Sequence, residues 1–421
     1  MNIVIIGLGT AGFAAALAIK KQDRSAMITI IDKTGKLQHS CGLPYALEGK
    51  MGFDSLAHDI GAERMNINLV VDEVTGINIK DNDVSTKDKT YSYDKLIFDT
   101  GSSPMIPPID IKSDKIYTVW DIASTRRLEH AKGDVAVIGA GAIGLETAMA
   151  LKKRGCHVTV IDMLSSILPK AIDQDMSDIA ITNLDIDFKL GKRLISIEND
   201  QIKLEDETLT SDFIIMATGA RPNTELAEKA GLKVNKQGIE VNEKMQTSDK
   251  DVYAVGDCAE VWSMINHQRY NPMIATTGYK QGTIAGINAA GGMAAYQGAL
   301  STFVTVLDNL EISATGFNTF FAEKSGYEVV IGKSRSYNKP SWFPGAEPIS
   351  LKIIADKKTG KVLGCQAVGK DSSRFINVVS AAIAKEMTLQ ELSDVELAYC
   401  PAVSDCYDVL HQAVDLALRK L

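Results

Sequence analysis

One pattern occurs twice and constrains this chain more than any other: an apolar strand, a turn of spaced glycines, a small-residue helix, and a second apolar strand ending in an acid. The first copy runs Asn2-Ile3-Val4-Ile5-Ile6, then Gly7-Leu8-Gly9-Thr10-Ala11-Gly12, an Ala-rich helix from Phe13 to Lys21, and Ile28-Thr29-Ile30-Ile31 with Asp32, 25 residues after Gly7. The second runs Val135-Ala136-Val137-Ile138, Gly139-Ala140-Gly141-Ala142-Ile143-Gly144, and Val158-Thr159-Val160-Ile161 with Asp162, 23 residues after Gly139. Glycines so spaced let backbone approach a pyrophosphate, the helix start favours its negative charge, and the acid accepts hydrogen bonds from a ribose. One glycine turn alone is weak evidence. Two copies, each in full context, predict two dinucleotide-binding units.

The remaining segments fall around these units. Tyr93 to Gly101 and Phe213 to Gly219 each read as a short apolar strand closing in Thr-Gly, a sharp turn near a nucleotide edge. Val252 to Asp257 is a further strand ending in Gly-Asp, and Ile274 to Ala290 carries small residues at helical spacing, suited to close packing. From about Ser301 strands alternate with hairpin turns at Asp308-Asn309 and Lys358-Thr359-Gly360. Two helices are expected to finish the chain. The last, from about Ala402 to Arg419, would place Cys406, Val409, Leu410, Ala413, Val414 and Ala417 on one apolar stripe facing a core or a subunit partner.

At 421 residues the chain exceeds one ordinary core. Its net charge of −8 argues against nucleic-acid binding, which needs a basic surface. No stretch reaches the roughly eighteen apolar residues of a membrane span, and the N-terminus opens directly as a strand, so a cytoplasmic location is expected. The six cysteines, Cys41, Cys156, Cys258, Cys365, Cys400 and Cys406, show no C-x-x-C pair and no zinc-like spacing. Neither a disulfide framework nor a metal site is expected. Cys156 and Cys365 lie at or in apolar strands and read as buried.

In their order, these motifs resemble the FAD- and NAD(P)-dependent pyridine nucleotide-disulfide oxidoreductases, over essentially the full length. The resemblance implies an α/β fold of two Rossmann-like dinucleotide-binding domains, one for FAD and one for NAD, plus an α+β C-terminal dimerisation domain. The implied boundaries are 1–106 and 237–300 for FAD, 107–236 for NAD(P), and 301–421 for the dimer interface. Most members carry a C-x-x-x-x-C redox pair, whereas Ser40-Cys41-Gly42-Leu43-Pro44-Tyr45 offers only Cys41. That is similar to the single-cysteine branch of coenzyme A-disulfide reductases, sulfur or polysulfide reductases, NADH oxidases and NADH peroxidases. Tyr399, in Leu397-Ala398-Tyr399-Cys400-Pro401, is similar to the branch's Tyr-x-Pro element, which in the family's dimers faces the partner's active-site cysteine.

Carried over residue by residue, the resemblance implies that Gly7, Gly9, Thr10, Ala11 and Gly12 cradle the FAD pyrophosphate. Asp32 would hold the adenosine ribose, and Asp257 the ribityl or pyrophosphate portion. Gly139, Gly141, Ile143 and Gly144 would serve the nicotinamide dinucleotide, with Glu146 near the nicotinamide. Lys33, Ser40, Cys41, Val74, Thr100, Gly101, Ala142, Gly219, Gly256, Thr276 and Thr277 complete the implied cofactor-binding set. Asp162 accepts from a free 2′-hydroxyl and repels a 2′-phosphate, which favours NADH over NADPH.

With one cysteine, the oxidised form must be a sulfenic acid or a mixed disulfide with a small sulfur species. A helix start after Cys41, signalled by Pro44, would favour its thiolate. Tyr399 would supply a phenolic hydrogen bond or merely pack at an interface, and Cys400 is either an intersubunit thiol or a buried interface residue. The branch's oxidases and peroxidases carry histidine where this chain has Thr10, which weakens peroxide chemistry. Between Tyr45 and Ile67 only Lys50 and Arg64 could meet the phosphates of coenzyme A, which argues against its tight binding. The expected activity is hydride transfer from NADH through flavin and Cys41 to a low-molecular-weight disulfide, coenzyme A disulfide or polysulfide. The alternatives are an NADH oxidase acting on oxygen and a flavin electron-transfer component for a protein partner.

Overall fold

Strands rich in Ile and Val without alternation belong to sheets buried on both faces. The computed structural model describes residues 1–421. The chain packs as two compact units, one of Met1–Met105, Trp120–Arg126 and Ala220–Ala299, the other of Ile106–Val119, Arg127–Gly219 and Leu300–Leu421.

In the first unit a parallel sheet runs in the order Val252–Ala254, Lys95–Phe98, Asn2–Ile6, Met27–Asp32, Ile67–Val71. Ile3, Ile5, Ile28, Ile30, Leu96, Ile97 and Phe98 are fully buried within it. The chain leaves Asn2–Ile6 to one side for Met27–Asp32 and returns on the other as Lys95–Phe98. The strand order therefore reverses at the carboxyl end of Asn2–Ile6, where Gly7 begins and where ligands of open α/β sheets bind. The helix over the glycine turn spans Thr10–Gln22, and the small-residue helix spans Ala275–Ala289. The small residues are needed because the two helix backbones touch. A Cβ on Gly282 would lie 2.0 Å from the Ala11 carbonyl oxygen, and one on Gly286 2.4 Å from that of Ala15.

The second unit repeats the arrangement. Its parallel sheet runs Ile116–Tyr117, Phe213–Met216, Asp134–Ile138, His157–Asp162, Asp187–Leu190, reversing at the end of Asp134–Ile138. It also contains a five-stranded antiparallel sheet in the order Phe303–Leu307, Leu310–Gly316, Val362–Gly369, Pro348–Asp356, Val329–Tyr337. Both hairpins turn where predicted, with Asp308 and Gly360 at positive φ. Lys352 on this sheet is buried, its Nζ 2.7 Å from Asp173 and 2.9 Å from Asp175. Gln366 Oε1 accepts the Asp173 amide at 2.8 Å, so the antiparallel sheet is pinned to the segment that follows Asp162.

The C-terminus departs from the sequence expectation. Three helices, not two, close the chain, at Ser372–Ala384, Leu389–Ser393 and Val409–Leu418. The last starts at Val409 rather than Ala402 because Asp408 caps it, accepting the amides of Leu410 and His411 at 3.0 Å each. Upstream, Ser404 Oγ donates to the Ala398 carbonyl and accepts the Cys400 amide, holding that segment as a loop. Cys406 is thus exposed outside the helix, while Val409, Leu410, Ala413, Val414 and Ala417 are buried. No helix is long and apolar enough to cross a membrane.

Candidate functional site

In the first unit the glycine turn forms a tight cradle. Gly7 has φ +102°, and a Cβ there would lie 2.1 Å from the Asp99 carbonyl oxygen; on Gly12 it would lie 2.8 Å from that of Gly7. Gly9 caps Thr10–Gln22 with no side chain to offer, which leaves the Thr10 and Ala11 amides, unlike those of Gly9 and Gly12, without a side-chain acceptor. Asp32 is tied to the turn, accepting the Leu8 amide at 3.1 Å through Oδ2, while Oδ1 takes the Thr34 and Gly35 amides. Gly256, at φ +71°, closes over Ala11, and the Asp257 carboxylate accepts from Ser102 Oγ at 2.7 Å. Burial pushes the Asp257 carboxyl above the usual range despite that bond. The buried Gln281 Nε2, whose Oε1 holds the Gly256 amide, has no hydrogen-bond partner. An anion-ready turn, a carboxylate at the end of the next strand and an orphaned buried donor together fit FAD.

Around this cradle, Thr100 Oγ1 donates to the Asn223 carbonyl and Asn223 Nδ2 returns a bond to the Thr100 carbonyl, fixing the Thr100-Gly101 turn. Val74 is buried, and Thr276 and Thr277 lie on the first turn of Ala275–Ala289. Lys33 instead points to the surface in an ion pair with Glu73. Cys41 is exposed in the turn Ser40–Gly42, which leads directly into a helix at Leu43–Glu48 with Pro44 in its first turn, as predicted. Leu43 and Pro44 anchor that helix in the interior, and a Cβ on Gly42 would collide with Leu56. His39, two residues before Cys41, packs edge-on against His58 with ring centroids 5.0 Å apart.

The second unit holds a matching cradle. A Cβ on Gly139 would lie 2.2 Å from the Ala217 carbonyl oxygen, and one on Gly144 2.0 Å from that of Gly139, while Gly141 caps the helix Ala142–Lys153. Asp162 Oδ2 accepts the Ala140 amide at 2.7 Å, repeating the Asp32 brace. Ile143 is exposed beside the turn and Gly219 closes its strand at positive φ. These residues could hold a nicotinamide dinucleotide. Glu146 is not a solvated helix charge: it is largely enclosed, accepts from Thr305 Oγ1 at 2.6 Å, and burial pushes its carboxyl up. Tyr399 is exposed, its phenol held above the ordinary range by desolvation and then by the neighbouring Cys406 thiol.

Cys156, Cys258 and Cys365 are buried, and Cys400 is exposed. No cluster of side chains suits a metal. Sequence reasoning missed Asp99, Ser102, Gln281 and Thr305. Only Asp99 left a signal, because Asp99-Thr100-Gly101 departs from the Ala217-Thr218-Gly219 of the second copy.

The pyridine nucleotide-disulphide oxidoreductase family profile matches residues 1–282, and that family's dimerisation-domain profile matches residues 302–409. A protein of Methanocaldococcus jannaschii named NADH oxidase is 37% identical, with 100% of this chain and 99% of that protein covered. A Pyrococcus furiosus protein named NAD(P)H sulfur oxidoreductase (CoA-dependent) is 34% identical over 97% of each. The structure of an NAD-dependent persulfide reductase from A. fulgidus superimposes with a TM-score of 0.96 at 30% identity, covering 100% of this chain and 83% of that one. With both glycine cradles built as the repeated pattern requires and both profiles matched in order, the chain belongs to the pyridine nucleotide-disulphide oxidoreductase family and is an NAD(P)H-dependent oxidoreductase.

Proposed function

We propose that this protein is an NADH-dependent flavoprotein reductase whose Cys41 attacks a low-molecular-weight disulfide or polysulfide, with coenzyme A disulfide a member of that class. The observation that carries this reading is the exposed Cys41 thiol in the turn that opens Leu43–Glu48, in a unit whose other cysteine, Cys258, is buried. A bound flavin supplies the two-electron exchange between nicotinamide and sulfur. The chain's groups do the rest. Gly7, Gly9, Thr10, Ala11, Gly12, Asp32 and Asp257 hold FAD. Gly139, Gly141, Ile143 and Gly144 hold the nicotinamide dinucleotide, and Asp162 selects NADH by meeting a free 2′-hydroxyl. The Cys41 thiolate attacks one sulfur of the acceptor and expels the other as a thiolate; two electrons originating in NADH then reopen the mixed disulfide. In a homodimer, Tyr399 of a second copy donates a hydrogen bond to the departing sulfur.

The oxygen-reducing alternative draws on the relative named NADH oxidase at 37% identity. One experiment separates the readings. The holoenzyme is reduced anaerobically with NADH, then mixed separately with coenzyme A disulfide, polysulfide, peroxide and oxygen while flavin absorbance is followed. Fast reoxidation by a sulfur acceptor, lost by at least about 100-fold in Cys41→Ser while an artificial dye still reoxidises the flavin, is the expected result. Oxygen as the sole fast oxidant would sink the disulfide reading. Full activity of Cys41→Ser with the natural acceptor would instead indicate electron transfer to a protein partner.

A further inference from the structure

The two cradles end in matching turns, Asp99-Thr100-Gly101 in the first unit and Ala217-Thr218-Gly219 in the second. The backbone carbonyls of Asp99 and Ala217 do the same work, each approached so closely by the first glycine of its turn that no side chain fits there. The turn therefore functions with alanine, and packing does not require the carboxyl of Asp99. Asp99 is 8% exposed, and its Oδ2 accepts the amides of Gly9 at 2.8 Å and Gly12 at 2.7 Å. It thus occupies the inner side of the loop whose next amides, Thr10 and Ala11, are the ones available to a pyrophosphate.

Its surroundings offer no positive charge to offset a second anion. Asp32 from the end of Met27–Asp32, one strand beyond Asn2–Ile6, and Asp257 and Cys258 from the turn after Val252–Ala254 are the titratable groups near it. The strand Asn2–Ile6 is uncharged, the lysines of Thr10–Gln22 are in its last turn, and Ala275–Ala289 contributes the neutral Gln281 while its Lys280 is exposed. Two anions at one helix start repel each other, whereas a protonated carboxyl beside a phosphate does not.

We propose that Asp99 couples FAD binding to uptake of one proton: the flavin dinucleotide is held with the Asp99 carboxyl neutral, the proton coming from solvent. This rests on the assignment of the first cradle to FAD. Burial pushes the Asp99 carboxyl up, against the pull of the Gly12 and Gly9 amides and with help from Asp257 and Asp32, to about 7. A dianionic pyrophosphate beside it raises it further. Below neutrality the carboxyl is already protonated, and FAD affinity is flat with pH. Above, each bound FAD must draw in a proton, and affinity falls.

The test is dilution of the holoenzyme at a series of pH values, with the free fraction read from recovered FAD fluorescence. The expected Kd rises about tenfold per pH unit above neutrality, or about 20-fold between about pH 6.5 and about pH 8.5. Asp99→Asn keeps an acceptor for both amides and has no proton to lose, so its Kd should vary less than about twofold over that range. Calorimetry in buffers of different ionisation enthalpy should register close to one proton taken up per FAD at the alkaline end for the wild type and none for the variant. Should Asp99→Asn fail to fold, Asp99→Ala copies the residue that already serves in the second unit. A wild-type Kd that does not change with pH, or a slope that survives in the variant, overturns the proposal while leaving FAD in place. A protein that carries no FAD and takes up none at any pH overturns the FAD assignment, and this inference with it.

Discussion

Glu146 is a carboxyl with one neutral partner in a mostly enclosed position, and its charge state follows from that. Burial raises its folded pKa above the unfolded value of about 4.3, so the folded chain binds the proton more tightly. The stability this group contributes is complete below that unfolded value and is lost as pH rises through the raised folded one. Glu146→Gln should therefore match the wild type in urea midpoint near about pH 4 and exceed it near about pH 8. Thr305→Val removes the single hydroxyl donor and should cost about 1–2 kcal/mol, read from the same curves. At this scale sequence and structure agree unevenly. The glycines and acids of the two cradles are readable because their backbone demands are strict and local. Thr305 is invisible in the sequence, because only the tertiary fold brings residue 305 onto the helix that begins at Ala142. Asp99 was legible in principle, since a buried carboxylate at the end of an apolar strand breaks the pattern that Ala217 keeps.

Among the elements, the contact between Thr10–Gln22 and Ala275–Ala289 decides whether the first cradle forms at all. The helices meet backbone to backbone at Gly282 and Gly286, and Ala11, whose carbonyl receives Gly282, lies in the cradle itself. Gly282→Ala forces the helices apart by the width of a methyl and should destabilise the protein by about 1–3 kcal/mol. The displacement moves the Gly9–Gly12 turn as well. Purified variant should thus carry less FAD per chain, measured from the ratio of flavin to protein absorbance, and a variant with full flavin content would contradict this coupling. Small-residue spacing made this helix legible before its partner was known. The final helix was read too long for the opposite reason: apolar periodicity continues back through Cys406, but an Asp408 cap and the Ser404 side-chain bonds override it. Periodicity reports what could be helical, and caps decide where a helix begins.

Across the whole chain, Lys352 ties the antiparallel sheet to the second dinucleotide half. Its side chain is 8% exposed and its ammonium sits between Asp173 and Asp175. Burial opposes ionisation of Asp175, yet the hydrogen bonds of Lys333 and Lys352 outweigh it and hold the carboxyl below its usual range. Replacing Lys352 with Met leaves two carboxylates facing each other and should cost about 2–4 kcal/mol in thermal or urea unfolding. Lys333→Met, at a more exposed position, should cost under about 1 kcal/mol. Equal losses would refute the central role of Lys352. The general architecture was legible because each half repeats the same local rule; this junction was not, because neither Lys352 nor Asp173 belongs to a repeating motif.

The brace between each strand-end acid and its glycine turn has a consequence for anyone redesigning the protein. Asp32 grips the Leu8 amide and Asp162 the Ala140 amide, so each acid is a strut of the loop as well as the proposed acceptor for a sugar. If Asp162 sets coenzyme preference as proposed, deleting it would also slacken the loop proposed to receive the phosphates, and discrimination and grip would fall together. A successful swap needs a replacement that still accepts the Ala140 N–H, such as asparagine or serine, before any arginine is introduced to welcome the extra phosphate.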